Sequence, residues 1–301
     1  MKVAVIIVNF NDEEETISYA EKITKYDVID RAVVVDNMST TIGAFNKLQK
    51  LEELSNKITV LKSDKNGGYS YGNNFGMKFL QEEEKKNNIK YDYIIISNPD
   101  IDVEEKAIKA SIEILENDKK VAICAPRMFS KDGKPARRSA WKLRTFLRDV
   151  VHAVRILEIP FYKVLRNGEY SEEDYKNEIL EVEAIAGSFF IIRKDIFEEV
   201  NLFDENVFLF YEEDILGKKL KVLGYKTISL NSEKFIHYES QTIGKVYNYF
   251  SKMNLLYKSK MYYQVTYNKI GIIEKLLFFI LKIIRMIELC IEVPIRKLLK
   301  K

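Results

Sequence analysis

The chain has 301 residues, of which 47% are hydrophobic and 31% charged, and its formal net charge is +3. A composition this apolar and this close to neutrality excludes an intrinsically disordered chain and does not favour a nucleic-acid partner. The two cysteines, Cys124 and Cys290, lie far apart, which argues against a disulfide scaffold or a zinc cluster and favours a reducing, cytoplasmic environment.

Short apolar runs alternate with helical stretches along the first half of the chain. The N-terminal run is followed by acidic residues and has no small-residue cleavage site, so it predicts a strand rather than a signal peptide. Buried strands are predicted at 3–8, 32–35, 58–61, 93–96 and 121–124, with helices at 13–24, 42–54, 73–86 and 104–117. This order predicts an α/β fold, with a doubly wound, mostly parallel sheet flanked by helices and ligands at the carboxyl ends of its strands.

The second half of the chain is less regular. Residues 127–180 carry mixed charges and are predicted to form an insertion. The pattern resumes with a strand and helix at 184–200, a helix near 214–223, a strand at 226–230 and helical sequence from about 246. We therefore expect one domain over residues 1–245 and a C-terminal helical tail over residues 246–301.

Polar side chains follow the first two predicted strands. Amides and a carboxylate at neighbouring strand ends can bind the edge of a base or a ribose. The alternative is that asparagine and aspartate begin turns after these strands. The candidates are Val8, Asn9, Asn11, Asp36, Asn37 and Ser39.

A glycine-rich segment opens the helix after the third strand. Glycine permits close backbone approach, and the N-terminus of a helix offers unpaired N–H groups to an anion. The segment matches neither the Walker phosphate loop nor the dinucleotide fingerprint. The alternative is a glycine-rich helix entry with asparagine caps. The candidates are Asn66, Gly67, Gly68, Tyr69 and Asn73.

The fourth strand ends in Asn98-Pro99-Asp100-Ile101-Asp102. Two carboxylates beside a strand end, Asp100 and Asp102, can share Mg²⁺ or Mn²⁺, which prefers oxygen ligands and bridges phosphates. Asn98 is a further binding candidate. The alternative is an ordinary turn in which Asp102 caps the next helix.

Three consecutive acids, Glu212, Glu213 and Asp214, precede a predicted helix. The helix macrodipole favours acids at this position, but three are more than capping needs, so one is a candidate general base. His237 is one of two histidines, and a lone histidine is more often a packing residue than a ligand.

In this order, the motifs resemble those of the family 2 glycosyltransferases, particularly the rhamnosyltransferase-like branch with the GT-A fold. The resemblance covers about residues 1–245. It rests on VNFN at 8–11, VVDNMS at 34–39, NGGYSYGNN at 66–74, NPD at 98–100, the segment 186–214 and FIHYES at 235–240.

The resemblance implies roles for residues on the donor side. It assigns Asn9, Asp36 and Asn37 to the base and ribose of a nucleotide, and residues 66–74 to the ribose and diphosphate. Asp100 matches the metal-binding aspartate of the family, and His237 matches a histidine that completes the metal and diphosphate site.

The resemblance also implies the position of the base. Gly187 matches a glycine that lets the backbone approach a sugar. The glutamate–aspartate pair of the family falls on Glu212 and Glu213, so a glutamate replaces the expected aspartate. Glu213 is the first candidate for the base and Asp214 the second.

The implied reaction is an inverting transfer from a UDP- or dTDP-sugar, with Mn²⁺ or Mg²⁺, to a hydroxyl of a saccharide or lipid-linked acceptor in bacterial cell-surface polysaccharide synthesis. Arg137, Arg138 and Trp141 are candidates for acceptor contacts, although a solvated basic turn explains them equally well.

One alternative function is that of a nucleotidyltransferase, but the glycine-rich basic loop of that class is missing after the first strand. The other is a non-catalytic module that binds nucleotide sugar or polysaccharide at a membrane, which the glutamate at 213 keeps open.

The C-terminal tail is basic and amphipathic. Residues 269–301 contain eight lysines or arginines and three glutamates, a net charge of +5. The longest apolar run, 276–281, is far shorter than the about 18 residues of a spanning helix. A wide apolar face fits a helix lying on the cytoplasmic face of a membrane, whereas the alternative is packing on its own domain or on a second subunit in a homodimer. The polar stripe consists of Lys275, Lys282, Arg285, Glu288, Glu292 and Arg296.

Overall fold

A computed structural model describes residues 1–238 and 248–298, with side chains described up to residue 295. The predicted α/β fold is confirmed, with helices on both faces of one large sheet. The predicted boundary at 245–246, the last two residues of the 235–240 motif and the final three residues lie outside the described residues.

The strands and helices follow the predicted order over the described ranges. The strands are β1 (Val3–Asn9), β2 (Arg31–Asp36), β3 (Ile58–Lys62), β4 (Tyr93–Ser97), β5 (Ile101–Val103), β6 (Val121–Ser130), β7 (Ala140–Trp141), β8 (Ile179–Val182), β9 (Ala184–Ile185), β10 (Phe189–Arg193) and β11 (Lys226–His237). The helices are α1 (Glu13–Ile23), α2 (Ala44–Gln49), α3 (Leu51–Leu54), α4 (Gly68–Asn87), α5 (Glu105–Asn117), α6 (Phe146–Val151), α7 (Arg155–Glu158), α8 (Tyr162–Arg166), α9 (Lys194–Glu199), α10 (Glu212–Val222), α11 (Tyr249–Thr266) and α12 (Ile272–Leu298).

The sheet is parallel in its N-terminal part and mixed beyond it. In the described residues its order is β3-β2-β1-β4-β10-β6-β11-β5, with β8 beside β11. The strands β3, β2, β1 and β4 run parallel, whereas β10 is antiparallel to both of its neighbours, β4 and β6. The first four residues of β10, 189–192, are apolar and buried. A buried strand has this pattern whether it runs parallel or antiparallel to its neighbours, so the sequence does not reveal its direction.

Alternate residues of β1 supply the two halves of the core. Val3, Val5 and Ile7 face α1 and α5, while Ala4 and Ile6 face α4. Helix α4 lies close against the sheet through its glycines, since a Cβ added at Gly76 or Gly72 would stand 2.8 Å from a side-chain carbon of Ile6 or Val8. This close approach fixes the start of α4 beside the ends of β1 and β2.

The C-terminal helices pack on the insertion and on α10. Tyr257 of α11 and Phe278 of α12 join Ala153 and Val154 in one cluster, and Tyr263 of α11 packs with Tyr211 beside α10. Among the described helices, none combines the length and apolarity that a membrane crossing needs. One side of the C-terminal helical tail therefore packs against the rest of the protein.

Candidate active site

The ends of β1 and β2 meet, as the sequence predicts. Asn9 is buried, and its Nδ2 donates to Ser39 Oγ at 2.9 Å and to Asp36 Oδ1 at 3.4 Å. Its Oδ1 accepts from Thr16 at 2.8 Å. Since the amide of Asn9 is occupied within the protein, it holds Asp36 and Ser39 in place at the strand ends.

Asn11, the second predicted asparagine after β1, orders the loop that follows β2. The side-chain Oδ1 of Asn11 accepts from the backbone N–H groups of Thr40 and Thr41 at 2.7 and 3.1 Å. The backbone N–H of Asn11 in turn donates to Ser39 Oγ at 3.0 Å. These bonds tie residues 39–41 to the end of β1.

Asn37 connects the end of β2 to the glycine-rich segment. Its Nδ2 donates to Gly68 O at 2.9 Å and to Asn66 Oδ1 at 3.4 Å. Asn66 Oδ1 also accepts from the backbone N–H of Gly68 at 3.1 Å. The predicted donor-side residues after β2 and β3 therefore form one hydrogen-bonded group.

The start of α4 lies against the loop before α10. Gly68 has a φ of +83°, and a Cβ added to it would stand 1.9 Å from the carbonyl oxygen of Phe208. The same oxygen accepts from the backbone N–H of Tyr69 at 3.1 Å. The sequence predicts an anion at this helix terminus, whereas the structure gives the Tyr69 N–H a protein partner.

Two further predicted residues lie in the first turns of α4. A Cβ added at Gly67 would meet the ring of Tyr71 at 2.3 Å, so the position requires glycine. Asn73 is buried and its Nδ2 donates to Tyr69 O at 3.0 Å, while its Oδ1 has no hydrogen-bond partner in the described residues.

Asp100 and His237 are brought together from positions far apart in the sequence. Their Oδ2 and Nε2 atoms are 3.3 Å apart, and the backbone N–H of Tyr238 donates to Asp100 O at 2.9 Å. The pairing of β5 with β11 places His237 opposite Ile101, directly after Asp100. The pairing of β5 with β11 therefore brings these two predicted residues together.

Asp102 does not cap α5, which was the alternative to its prediction as a metal ligand. The residue lies in β5 and forms an ion pair with Lys22 of α1, while the N-cap of α5 is Glu104 and has no side-chain cap. Successive side chains of a strand point to opposite faces, so Asp102, which pairs with Ile236, lies on the opposite face of the sheet from His237, which pairs with Ile101. No group of three potential ligands forms among the described residues, so Asp102 does not join the Asp100–His237 pair.

Asp100 and His237 fit a divalent cation. A carboxylate oxygen and an imidazole nitrogen 3.3 Å apart have nearly the spacing of neighbouring ligands on a cation bound at about 2.1 Å. Cations of this kind are often held by one or two protein groups, and phosphate oxygens and water fill the remaining positions. Two protein donors at a sheet edge suit such a site.

The three consecutive acids of α10 have different surroundings. Glu212 is buried, its Oε2 has no hydrogen-bond partner in the described residues, and burial raises its pKa well above the usual range. Asp214 is buried too and accepts from Trp141 Nε1 and from the backbone N–H of Arg144, both at 3.2 Å. Burial raises the pKa of Asp214 to about 6.

Glu213 is the acid best placed to react. It is half-buried, and its Oε1 accepts only a long hydrogen bond, 3.3 Å, from the backbone N–H of Gly187. Burial raises the pKa of Glu213 to about 7. A carboxylate with a pKa near 7 and an accessible oxygen has the properties of a general base at neutral pH.

Residues 187 and 188 connect the two parts of the site. Ser188 O accepts from the backbone N–H of Asn98, at the turn that carries Asp100, at 2.8 Å. Gly187 contacts Glu213, and its carbonyl oxygen accepts from Tyr69 OH at 2.5 Å. A Cβ added at Gly187 would stand 3.0 Å from both Glu213 Oε1 and the Tyr69 hydroxyl. The metal-site candidates, the acid and the start of α4 therefore surround one short backbone segment.

Sequence reasoning missed a buried polar network next to α10. The carboxylate of Asp149, which is fully buried, accepts from Tyr211 OH and Gln264 Nε2, both at 2.7 Å. Arg144 lies 3.5 Å from the same carboxylate. Asp149 occurs in an insertion without clear periodicity, so no sequence signal identified it.

Arg137, which the sequence offers as a candidate for an acceptor contact, forms an ion pair with Glu169 in the structure.

The chain is similar in sequence to known glycosyltransferases. The model of Glycosyl transferase family 2 matches residues 4–200. The low-salt glycan biosynthesis hexosyltransferase Agl10 of Haloferax volcanii is 24% identical over 212 residues, 70% of this chain and 58% of the relative. The N-acetylglucosaminyl-diphospho-decaprenol L-rhamnosyltransferase of Mycobacterium tuberculosis is 26% identical over 157 residues, 51% of this chain and 49% of the relative. The chain thus spans about half the length of these curated relatives.

The fold is similar to that of a solved glycosyltransferase. The mannosyltransferase PcManGT of Pyrobaculum calidifontis, in complex with GDP-Man and Mn²⁺, has a TM-score of 0.57 and 14% identity. The match covers 90% of this chain and 65% of that chain. At this identity the similarity concerns the fold alone.

Proposed function

The chain belongs to glycosyltransferase family 2, and we propose that it transfers a sugar from a UDP- or dTDP-sugar to a hydroxyl of a saccharide or lipid-linked acceptor. One observation carries this proposal. The Gly187–Ser188 backbone touches both the turn that bears Asp100 and the acid Glu213. The candidate base, Glu213, and the turn with the candidate metal ligand, Asp100, thus lie on the two sides of one backbone segment.

The donor nucleotide would bind at the ends of β1 and β2. Asp36, positioned by Asn9 and Ser39, is an acceptor for ribose or base N–H and O–H groups. Asn37 and Asn66 hold the glycine-rich segment next to it. We propose that a nucleotide bound here has its diphosphate on the side of Asp100.

Asp100 and His237 are the residues that would hold Mn²⁺ or Mg²⁺. When bound, such a cation neutralises negative charge that grows on the departing diphosphate. His237 is the last residue of β11 and Asp100 lies in the turn directly before β5, so the pairing of these two strands sets their separation. A site on rigid elements of this kind needs little reorganisation during the reaction.

Glu213 would act as the base of an inverting, in-line displacement. The acceptor oxygen forms a bond to the anomeric carbon, the bond from that carbon to the diphosphate oxygen breaks, and the hydroxyl proton passes to the Glu213 carboxylate. Asp214 cannot easily take this role, because its two oxygens already accept from Trp141 and Arg144. Gly187 lets the backbone lie against Glu213, because a Cβ there would stand 3.0 Å from the Glu213 carboxylate.

The acceptor side follows from the relatives and remains a proposal. The name of the mycobacterial relative specifies a sugar on decaprenyl diphosphate as acceptor and rhamnose as the transferred sugar. We propose the same class of acceptor here, in cell-surface polysaccharide synthesis on the cytoplasmic side of a membrane.

A donor screen tests the proposal. The purified chain is incubated with Mn²⁺ and UDP-, dTDP- or GDP-sugars, including dTDP-rhamnose, with a polyprenyl-diphosphate sugar as acceptor, and released nucleoside diphosphate is measured. We expect turnover with at least one UDP- or dTDP-sugar. Tight donor binding without turnover for any acceptor would support a non-catalytic module and contradict the proposal.

A further inference from the structure

Helix α12 turns its polar side toward the protein. Arg285 is 12% exposed and lies 2.7 Å from Glu288 and 2.8 Å from Glu292. The backbone N–H groups of Arg155 and Ile156 in α7 donate to the Glu288 carboxylate at 2.9 and 3.1 Å. An amphipathic helix of a globular protein normally packs its apolar side inward, whereas α12 also turns charged residues toward the protein.

Inward-facing apolar residues confirm the orientation of the helix. Phe278, Leu281 and Leu289 are buried, and Phe278 meets Phe146 edge to face at 5.3 Å. These contacts and the Glu288 hydrogen bonds fix the rotation of α12 about its axis. The apolar side chains on the opposite side of α12 are therefore held outward.

The outer side of α12 is a continuous apolar surface. Its members recur at intervals of three and four residues, so they share one side of the helix, and they extend for about 27 Å at 1.5 Å per residue. Each is about half exposed or more, for example 53% for Ile280 and 58% for Ile287. We call this set the outer surface: Ile273, Leu276, Ile280, Ile283, Ile287 and Ile291.

The charge around the outer surface selects an occupant. Residues 269–301 carry a net charge of +5, and two of their three glutamates, Glu288 and Glu292, are engaged by arginines on the protein side. Lys275 and Lys282 belong to the polar stripe of α12 and are partly exposed, and their long side chains can reach an anionic surface from there. A second copy of the chain would bring two such basic tails together, whereas an anionic surface would complement them.

We propose that the outer surface docks the chain on an anionic lipid bilayer, with α12 lying along the interface. The apolar side chains enter the boundary between headgroups and acyl chains, and the lysines contact lipid phosphates. Docking requires neither donor nor acceptor, so its test is separate from that of sugar transfer.

Vesicle co-sedimentation tests the docking proposal. The full chain is mixed with vesicles of phosphatidylcholine containing phosphatidylglycerol, or of phosphatidylcholine alone, in the absence of nucleotide. The Ile280→Glu/Ile287→Glu variant places two charges in the outer surface. The Ile42→Glu/Leu54→Glu variant is the matched control, because both residues are exposed, 101% and 63%, and lie in the α2–α3 region.

We expect the wild type and the control to bind anionic vesicles at least tenfold more strongly than the α12 variant, and neutral vesicles weakly. All three proteins should melt at similar temperatures, since the changed side chains are exposed. Deleting the helix would be a poorer test, because it would remove the buried Phe278, Leu281 and Leu289.

Either of two results would overturn the proposal. The first is equal vesicle binding by the wild type and the α12 variant. The second is no binding of the wild type to anionic vesicles; if sedimentation velocity then showed a dimer that the α12 variant disrupts, the occupant would be a second copy.

Discussion

The three neighbouring carboxyl groups at the start of α10 have different surroundings. Glu212 is buried, Asp214 is bound by Trp141 and Arg144, and Glu213 is half-buried beside Gly187. Sequence spacing alone left Glu213 and Asp214 as competing bases. The contacts of Asp214 favour Glu213, because a base must reach the acceptor proton.

The pH dependence of turnover tests the role of Glu213. Its pKa is raised to about 7 by burial, and a base acts only when deprotonated. We therefore expect kcat to rise with pH through about 7 and then level off, and to fall about tenfold for each pH unit below. The measurement is a steady-state pH profile with saturating donor and acceptor.

Two substitutions at Glu213 complete that test. Glu213→Gln, which cannot accept the proton, should lower kcat by about 10²–10⁴-fold while the donor still binds. Glu213→Asp should retain more activity than Glu213→Gln because it keeps a carboxylate. A Glu213→Gln enzyme with an unchanged rate or an unchanged pH profile would exclude Glu213 as the base.

Several site residues could be predicted from the sequence because their role depends on strand ends. The carboxyl ends of parallel strands share one edge of a sheet, so Asn9 and Asp36 had to be neighbours. Asp102 could not be placed in this way. Its ion pair depends on which side of the short strand β5 it occupies and on where α1 brings Lys22.

At the scale of elements, the contact between α4 and the loop before α10 closes the site. Gly68 has a positive φ and its α-carbon lies against the carbonyl oxygen of Phe208, whereas Gly133 has a φ of +73° with open space around it. We expect Gly68→Ala to lower the free energy of unfolding by about 3 kcal/mol or more, through both strain and overlap.

Gly133→Ala is the matched control, because it carries the backbone strain without the overlap. It should cost about 1–2 kcal/mol. Chemical denaturation of both variants measures the difference. Equal losses would show that the α4–loop contact is less rigid than its geometry indicates.

The Asp149 network connects α6, α10 and α11. Tyr211, which donates to Asp149, is itself at a φ of +71° directly before Glu212, and Gln264 belongs to α11. We expect Asp149→Ala to lower the free energy of unfolding by about 3–5 kcal/mol, because it leaves the Tyr211 and Gln264 donors without their acceptor and removes one of the two carboxylates beside Arg144. Thermal or chemical unfolding checks this.

Asp132→Ala is the control for Asp149→Ala, because Asp132 lies in an exposed turn of the insertion. Its stability should remain within about 0.5 kcal/mol of the wild type. A similarly small effect of Asp149→Ala would mean that the network does not hold the start of α10.

Element order was predictable from the sequence, but strand direction and the insertion were not. Runs of valine and isoleucine identify the strands β1, β2 and β4, since all three are buried on both faces. Helix α4 begins at Gly68, five residues before the predicted start, because tertiary packing overrides the low helix propensity of glycine.

For the whole molecule, the C-terminal helices have two distinct sides. The sequence showed a narrow polar stripe on α12 and left its environment open between a membrane, the domain and a second subunit. The structure places Glu288 and Glu292 of the polar stripe against α7 and leaves the outer surface exposed. Amphipathicity fixes the two sides of a helix, but the partners of Glu288 and the buried Phe278 show which side faces the protein.

The central claim is that this fold brings Asp100 and His237 together to hold the diphosphate side of a nucleotide-sugar donor. Asp100→Asn tests it most directly, with Asp102→Asn as the matched control two residues away, whose carboxylate pairs with Lys22. The measurement is the rate of sugar transfer, together with nucleoside diphosphate affinity, with and without Mn²⁺. We predict that Asp100→Asn loses at least about 10²-fold in rate and its Mn²⁺-dependent affinity, while Asp102→Asn retains both. Equal activity of Asp100→Asn and the wild type, or equal losses in the two variants, would contradict the account.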